Sequence, residues 1–238
     1  MWPFTKKRTI AQENLLAGGT DHHSHILPAV DDGIATMEEA LLALQALAAS
    51  GIKEVWLTPH IMEEYPNTPA ALQERFATLQ GCYTGPITLH LAAEYMIDNQ
   101  FHELLESGNL LPIGNTGNHL LVETSYFTPP MQLNATLQRI KSKGYHPLLA
   151  HPERYIYMEE KQYRELRENG VKFQLNMISL SGGYGRAVEK KAKWLLKNNM
   201  YTVAGSDLHS SDALEIINAT PLDKEQRGML QELLHTKL

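Results

Sequence analysis

Asp21-His22-His23-Ser24-His25-Ile26-Leu27-Pro28-Ala29-Val30-Asp31-Asp32-Gly33 is the stretch on which the reading of this chain turns. In a β-strand, residues two apart point to the same face. Asp21, His23 and His25 then share one side, with His22 and Ser24 on the other. Two imidazoles converging on a point, with an acidic pair shortly after, suit a divalent metal. A polar strand end with surface histidines would read the same way locally, so the rest of the chain decides.

Outward from this stretch the chain alternates strand and helix. Gly18-Gly19 introduces the first strand, around 20–25. Leu41, Leu44 and Leu47-Ala48 recur at helical spacing, which predicts a helix over 37–50 ended by Gly51. Further strands are expected at 54–58, 87–93, 119–122, 146–150, 171–175 and 201–205. Further helices are expected at 69–80, 101–106, 131–143, 159–169, 187–199 and 224–235. Seven strands alternating with helices, with no break in composition, imply an α/β fold of parallel strands covered by helices. Seven such units favour closure into a barrel over an open doubly wound sheet. Residues 1–18 read as an N-terminal extension and 19–238 as one domain.

The histidines and carboxylates fall where such a fold would use them. His23 and His25 close the first strand and His60 follows the second. Glu94 follows the third, Glu123 the fourth and His151 the fifth, while Asp207 and His209 follow the seventh. Asp32 lies on the loop after the first strand. In a parallel barrel the C-terminal strand ends share one face, and the active site sits there. Six of the seven strands therefore deliver a metal-type ligand to one mouth, which chance explains poorly. His22, His90, His102, His119, His146 and His235 lie elsewhere and read as surface or packing residues.

Nine candidate ligands exceed the needs of one ion, since zinc takes about four and manganese about six. Two or three divalent ions bridged by carboxylates fit the set. Imidazole and carboxylate without thiolate favour manganese, iron or zinc over calcium. Asp32, Glu94, Glu123 and Asp207 carry about −4 against about +6 for three divalent ions, so a filled centre would attract a phosphate dianion.

Composition sets the remaining bounds. The 238 residues are 43% apolar and 20% charged, as in an ordinary globular chain. A net charge of −6 with no basic stripe gives no reason to expect nucleic acid as a partner. The single Cys82 excludes an internal disulfide and fits a reducing, cytoplasmic compartment. No apolar run approaches membrane-spanning length. The basic start, Met1 to Arg8, lacks the apolar region of a secretory signal. Trp2 and Phe4 would permit a short peripheral membrane contact, although a frayed terminus is the favoured reading.

Asp21-x-His23-x-His25, Thr58-Pro59-His60, Ala93-Glu94, Val122-Glu123, Ala150-His151-Pro152 and Ser206-Asp207-x-His209 together resemble the polymerase and histidinol phosphatase (PHP) family, over nearly the whole chain after residue 18. Two phrases bring it closest to the metal-dependent protein-tyrosine phosphatases of bacterial capsule and exopolysaccharide loci. They are His25-Ile26-Leu27-Pro28 with Asp31-Asp32-Gly33, and Ala150-His151-Pro152-Glu153-Arg154-Tyr155. The resemblance implies a distorted (β/α)7 TIM-like barrel and a trinuclear centre, with manganese the favoured ion and iron or zinc the alternatives. His23, His25 and Asp207 would hold one ion with Glu94, which bridges to a second held by Glu123 and His151. Asp32, His60 and His209 would hold the third. Arg154 would bind the substrate phosphate. Asp207 and His209, primarily ligands, would also stand closest to proton transfer. Several members carry another arginine soon after Asp-x-His; here Ser210-Ser211-Asp212-Ala213-Leu214 follows, and Arg186 is the candidate substitute.

The implied reaction is hydrolysis of phosphotyrosine in a protein, such as a kinase C-terminal tail, by a metal-activated hydroxide. A small-molecule phosphatase of the histidinol-phosphate type and a metal-binding scaffold without catalysis are the alternatives. A cysteine-dependent phosphatase needs an arginine six positions after its cysteine; from Cys82 that position is Thr88. No Gly-x-Ser-x-Gly elbow supports a serine hydrolase. An amidohydrolase would want a lysine where Glu123 stands.

Overall fold

The computed structural model describes residues 7–238, so the contact considered for Trp2 and Phe4 lies outside the described residues. The strands are β1 (Arg8–Thr9), β2 (Thr20–Ser24), β3 (Glu54–Leu57), β4 (His60–Ile61), β5 (Thr88–Leu91), β6 (Glu94–Met96), β7 (His119–Glu123), β8 (His146–Ala150), β9 (Lys172–Asn176), β10 (Val203–Gly205) and β11 (Pro221–Leu222). The helices are α1 (Met37–Ala49), α2 (Pro69–Cys82), α3 (Asn99–Ser107), α4 (Leu133–Ser142), α5 (Glu160–Glu168), α6 (Arg186–Lys197), α7 (Asp212–Ala219) and α8 (Lys224–His235).

The parallel sheet curls, but not as seven unbroken strands. β2, β3 and β5 form one parallel group, and β4, β6, β7, β8, β9 and β10 form another in that spatial order. The expected second strand, 54–58, is β3, with β4 following it as a separate short strand in the other group, and the expected third, 87–93, is β5, with β6 following likewise. Pro59 lies at the first break and has no N–H to continue a ladder. Fully buried Ala92 and Ala93 occupy the second. The two groups also meet where β2 approaches the chain beyond β10. Asp207 N donates to His23 O at 2.7 Å and His25 N to Leu208 O at 3.0 Å. α7 is an additional helix, eight residues long, where the sequence reading has none.

Alternation along the strands sorts the core. Trp56, Leu121, Leu148, Ala150 and Val203 cluster together with Ala92 and Ile113. Their neighbours Val55, Leu57, Leu120, Val122, Leu149 and Ala204 join the larger cluster that includes helix residues Leu44, Phe101, Ile140 and Leu195. Glu94 and Glu123 stand two residues beyond Ala92 and Leu121, so the period of two carries them onto the smaller cluster's face at the strand ends. Helix boundaries are locally encoded. Thr36 and Glu39 cap α1 reciprocally, with Glu39 N donating to Thr36 Oγ1 at 3.2 Å and Thr36 N to Glu39 Oε2 at 3.1 Å. Residues 8–18 pack on this body: β1 pairs antiparallel with β11, and Ile10, Leu15 and Leu16 are buried.

Gly205 is where β10 comes closest to β2. A Cβ there would lie 2.5 Å from His23 Cβ, 2.7 Å from His23 N and 2.9 Å from Gln174 Nε2. Gly205→Ala should therefore destabilise the fold by about 1–3 kcal/mol through overpacking, read as a lower urea midpoint. Gly81, in the last turn of α2, has nothing within 4 Å of the same position. Gly81→Ala should leave the midpoint unchanged or raise stability by about 0.4–1 kcal/mol. Equal effects at the two sites would contradict a tight approach of β10 to β2.

Candidate metal centre

The nine predicted ligands converge. They fall into four overlapping groups, within each of which one ligand atom per residue lies within 4.8 Å of the others. The groups are His25, Asp32, His60 and His209; His23, His25 and Asp207; His23, Glu94 and His151; and His60, Glu94 and Glu123. The expected sharing of one ion by Glu123 and His151 is looser than the rest, with His151 Nε2 3.8 Å from Glu123 Oε2. Glu94 belongs to two of the groups. Its Oε1 lies 3.0 Å from His151 Nε2, and its Oε2 lies 3.1 Å from His23 Nε2 and 3.3 Å from both His25 Nε2 and His60 Nδ1. His23, His25, Glu94, Glu123, His151 and Asp207 are buried, whereas the Asp32 and His209 side chains are 50% and 32% exposed and form the mouth.

Outer hydrogen bonds fix which imidazole nitrogens face inward. Gln174 Nε2 donates to Leu175 O at 2.7 Å, and Gln174 Oε1 accepts from His151 N at 3.2 Å. With the amide so oriented, Oε1 can only accept from His23, so His23 Nδ1 donates to it at 2.9 Å. His25 Nδ1 likewise donates to Asp31 Oδ2 at 2.8 Å. Each Nε2 of the neutral rings then bears a lone pair, and the two atoms stand 3.1 Å apart. Lone pairs at that distance repel unless a cation or a proton lies between them. Glu94 Oε2 and His60 Nδ1, both buried, also lack a hydrogen-bond partner despite their close neighbours. Such inward-facing unsatisfied donors are what a cation would complete.

The electrostatics agree. Burial opposes charge on His23 and His25, yet their pKa values rise, because Glu94 and Asp207 face His23 and Asp31 and Glu94 face His25. Both shifts favour positive charge on these rings, the sign that a bound cation would bring. Burial pushes the Glu123 carboxyl well up, and the Glu94 and Asp207 charges push it further. Burial also lowers His60 to about 4, helped by the charge on His25, so its lone pair is free at neutral pH.

Two candidate ligands need unusual backbone. His151 has φ 32° and Asp207 φ 53°, in the left-handed region that L-residues avoid. Gly33 has no such φ, but a Cβ there would lie 2.2 Å from His25 O, so the Asp-Asp-Gly turn needs glycine.

Among substrate-site candidates, Arg154 lies in a 3₁₀ turn over Pro152–Arg154 and reaches the centre, with Nη1 donating to Asp207 Oδ2 at 3.0 Å. Arg186 does not line the cavity. It is the first residue of α6, exposed, while Tyr184 two residues earlier does line it. Glu153, its neighbour in sequence, is buried and accepts from Asn176 N and Tyr201 Oη. Sequence reasoning missed Asp31, Gln174, Asn176, Tyr126 and Tyr184. Lys172, Gln174 and Asn176 alternate with Phe173 and Leu175, and that polar face on a buried strand was the available signal for two of them. Asp21, which alternation aligns with His23, instead accepts from Ser206 N at 2.8 Å and joins no ligand group.

The capsular polysaccharide synthesis family model, CpsB/CapC, matches residues 19–215. The chain is 30% identical over 196 residues to tyrosine-protein phosphatase YwqE of Bacillus subtilis, covering 80% of this chain and 77% of YwqE. It is 29% identical over 204 residues to tyrosine-protein phosphatase CpsB of Streptococcus pneumoniae, covering 81% and 84%. It is similar in structure to a solved chain from a study of YwqE and CpsB as metal-dependent tyrosine phosphatases. The TM-score is 0.76 at 26% identity, covering 92% of this chain and 95% of that one.

Manganese reconstitution should give two or three ions per chain by elemental analysis, and one or none would contradict a multinuclear centre. Gln174→Ala and Asp31→Ala, which leave every candidate ligand in place, should each weaken metal affinity about 10–100-fold in competition with a chelator.

Proposed function

The chain belongs to the CpsB/CapC family of capsular polysaccharide synthesis, and from that membership and its nine-ligand centre we propose that it is a metal-dependent phosphomonoesterase acting on phosphotyrosine in proteins. The observation that carries this reading is the charge of the cavity. Its volume is about 460 Å³, and among the described residues its wall bears Asp32, Glu94, Asp207 and Asp212 against one permanent cation, Arg154. Unfilled, such a wall repels a phosphate dianion; with divalent cations on the converging ligands it attracts one.

Divalent ions, when bound, supply Lewis acidity and acidify water. His23, His25 and Asp207, with the Glu94 bridge, would hold one; Glu94, Glu123 and His151 a second; and Asp32, His60 and His209 a third. Manganese is the favoured ion for this mixed imidazole and carboxylate set. The protein's own part is orientation. Arg154 offers a planar fork to two phosphate oxygens. Asp207 Oδ2 accepts from Arg154 at 3.0 Å and from Asn176 Nδ2 at 2.6 Å, so this carboxylate has no proton to give. Burial works against the Asp207 charge, but His23, His151, His209 and His25 hold it ionised. His209 Nδ1 donates to Asp207 O at 2.9 Å, leaving only Nε2 for the third ion, so with that ion bound His209 would have no proton to give the leaving group. A tyrosine leaving group, with a phenol pKa of about 10, needs little such help. Tyr126, Ile178, Tyr184 and Ile216 give the same cavity an apolar side for an aromatic ring.

The remaining assignments go with this reading. The substrate is a phosphotyrosine protein, such as the C-terminal tail of a tyrosine kinase. The curled sheet is a distorted (β/α)7 barrel within one domain, residues 19–238. The lone Cys82 thiol suits the cytoplasm, and among the described residues no helix is long and apolar enough to cross a membrane.

Cys82 is exposed at the end of α2. Cys82→Ser should keep near-full activity on an aryl phosphate while a strong chelator abolishes it; a folded but inactive Cys82→Ser enzyme would sink the metal mechanism. In a direct comparison, kcat/KM should be higher for a phosphotyrosine peptide than for histidinol phosphate, and the reverse ranking would favour a small-molecule phosphatase. Arg154→Ala should lower kcat/KM by roughly 10²-fold, about 2.7 kcal/mol, with unchanged metal content and only partial recovery in Arg154→Lys.

A further inference from the structure

Among the described residues Arg154 is the one permanent cation on the cavity wall, and an arginine side chain is long enough to wander. Besides its bond to Asp207, two aromatic rings restrain it. The guanidinium carbon lies over the Tyr126 ring at 4.2 Å from the centroid and over the Tyr184 ring at 4.4 Å. The rings come from separate segments. Tyr126 follows β7 by three residues, and Tyr184 sits in the glycine turn ahead of α6, where Gly182 and Gly185 have φ 84° and 91°. Neither hydroxyl is used on Arg154. Tyr126 Oη donates to Glu123 Oε2 at 3.4 Å, and Asn176 Nδ2 donates to Tyr184 Oη at 3.3 Å, so each ring is itself oriented from the metal centre's surroundings.

Stacking against a ring occupies the face of a guanidinium and leaves its in-plane N–H donors free. One of those donors meets Asp207; the others remain for a phosphate group. Tyr184 is 37% exposed, so its position is not explained by core packing. The segment after His209, Ser210 to Leu214, supplies no second guanidinium. We propose that Tyr126 and Tyr184 are positioning residues, a pair of rings that holds the single Arg154 in its phosphate-receiving orientation where a second arginine is lacking. The proposal rests on the phosphatase reading above. Holding the side chain before substrate arrives removes an ordering cost from binding.

The test uses the full, metal-loaded chain with Tyr126→Leu, Tyr184→Leu and the corresponding Phe variants, each also made in an Arg154→Ala background. Inorganic phosphate is titrated calorimetrically, and aryl phosphate kinetics and metal content are measured in parallel. Each Leu variant should weaken phosphate binding and raise KM by about 5- to 30-fold, the range of one cation–π contact, with kcat changed less and metal content unchanged. The Phe variants, which keep the ring but lose its hydroxyl hydrogen bond, should recover most of the phosphate affinity that the Leu variants lose. In the Arg154→Ala background the Leu substitutions should add nothing. Leu variants that bind phosphate as the parent does, or that lose as much without Arg154, would overturn the proposal. A parent that binds phosphate but turns over no phosphomonoester would sink the function reading alone, because the titration still reads the rings.

Discussion

Two imidazole nitrogens 3.1 Å apart, each with its ring proton committed to the opposite side, are the constraint on which this molecule depends. His23 gives its proton to Gln174 and His25 to Asp31, so their lone pairs face each other in a buried space. Such an arrangement costs free energy until a cation or proton enters it. Glu94, Asp207, His60 and His151 complete the same space from other strand ends, and the raised pKa values of His23 and His25 are its signature without metal. Cation and proton compete for these lone pairs, which ties metal affinity to pH.

Holding these groups so close makes demands on the backbone that apolar packing alone would not. β10 reaches β2 only because residue 205 lacks a Cβ, and the loop carrying Asp31 and Asp32 closes over His25 only because residue 33 lacks one. The smaller inner cluster, with Trp56, Leu121, Leu148 and Val203, fills the space among the strands and makes their ends a rigid rim. Function sits on that rim, where strand alternation has already aimed Glu94 and Glu123.

Much of this was legible in the sequence, for definite reasons. Strand–helix alternation has a period that single residues report, and a ligand at the end of a strand is recognisable once the strand is. That is why all nine candidate ligands come together. The short strands β4 and β6 beyond the expected second and third were not legible, because a chain that bends and changes partners shows no mark of it in its alternation. α7 is short enough for its apolar residues, Ala213, Leu214 and Ile217, to be read as loop. Asp31 was hidden by its neighbour: two adjacent aspartates look alike, and only the fold shows that one supports His25 while the other faces the mouth. Tyr126 and Tyr184 carry no sequence signal for their role, since nothing local tells an aromatic residue that it will meet a guanidinium from another loop. Arg186 attracted notice for the opposite reason, its charge, and lies outside the cavity.

The left-handed backbone at His151 and Asp207 has an evolutionary corollary. Each costs the fold of order 1–3 kcal/mol relative to a residue at ease in that region, and glycine or asparagine would remove much of that cost. Either exchange would remove a candidate ligand from the metal centre. In a descendant that abandoned the chemistry, these two positions would be among the first to drift, because relaxation would reward the fold at once. Glycine or asparagine at either position, in a chain that keeps the surrounding sequence, would then mark a lineage in which the fold outlived its reaction.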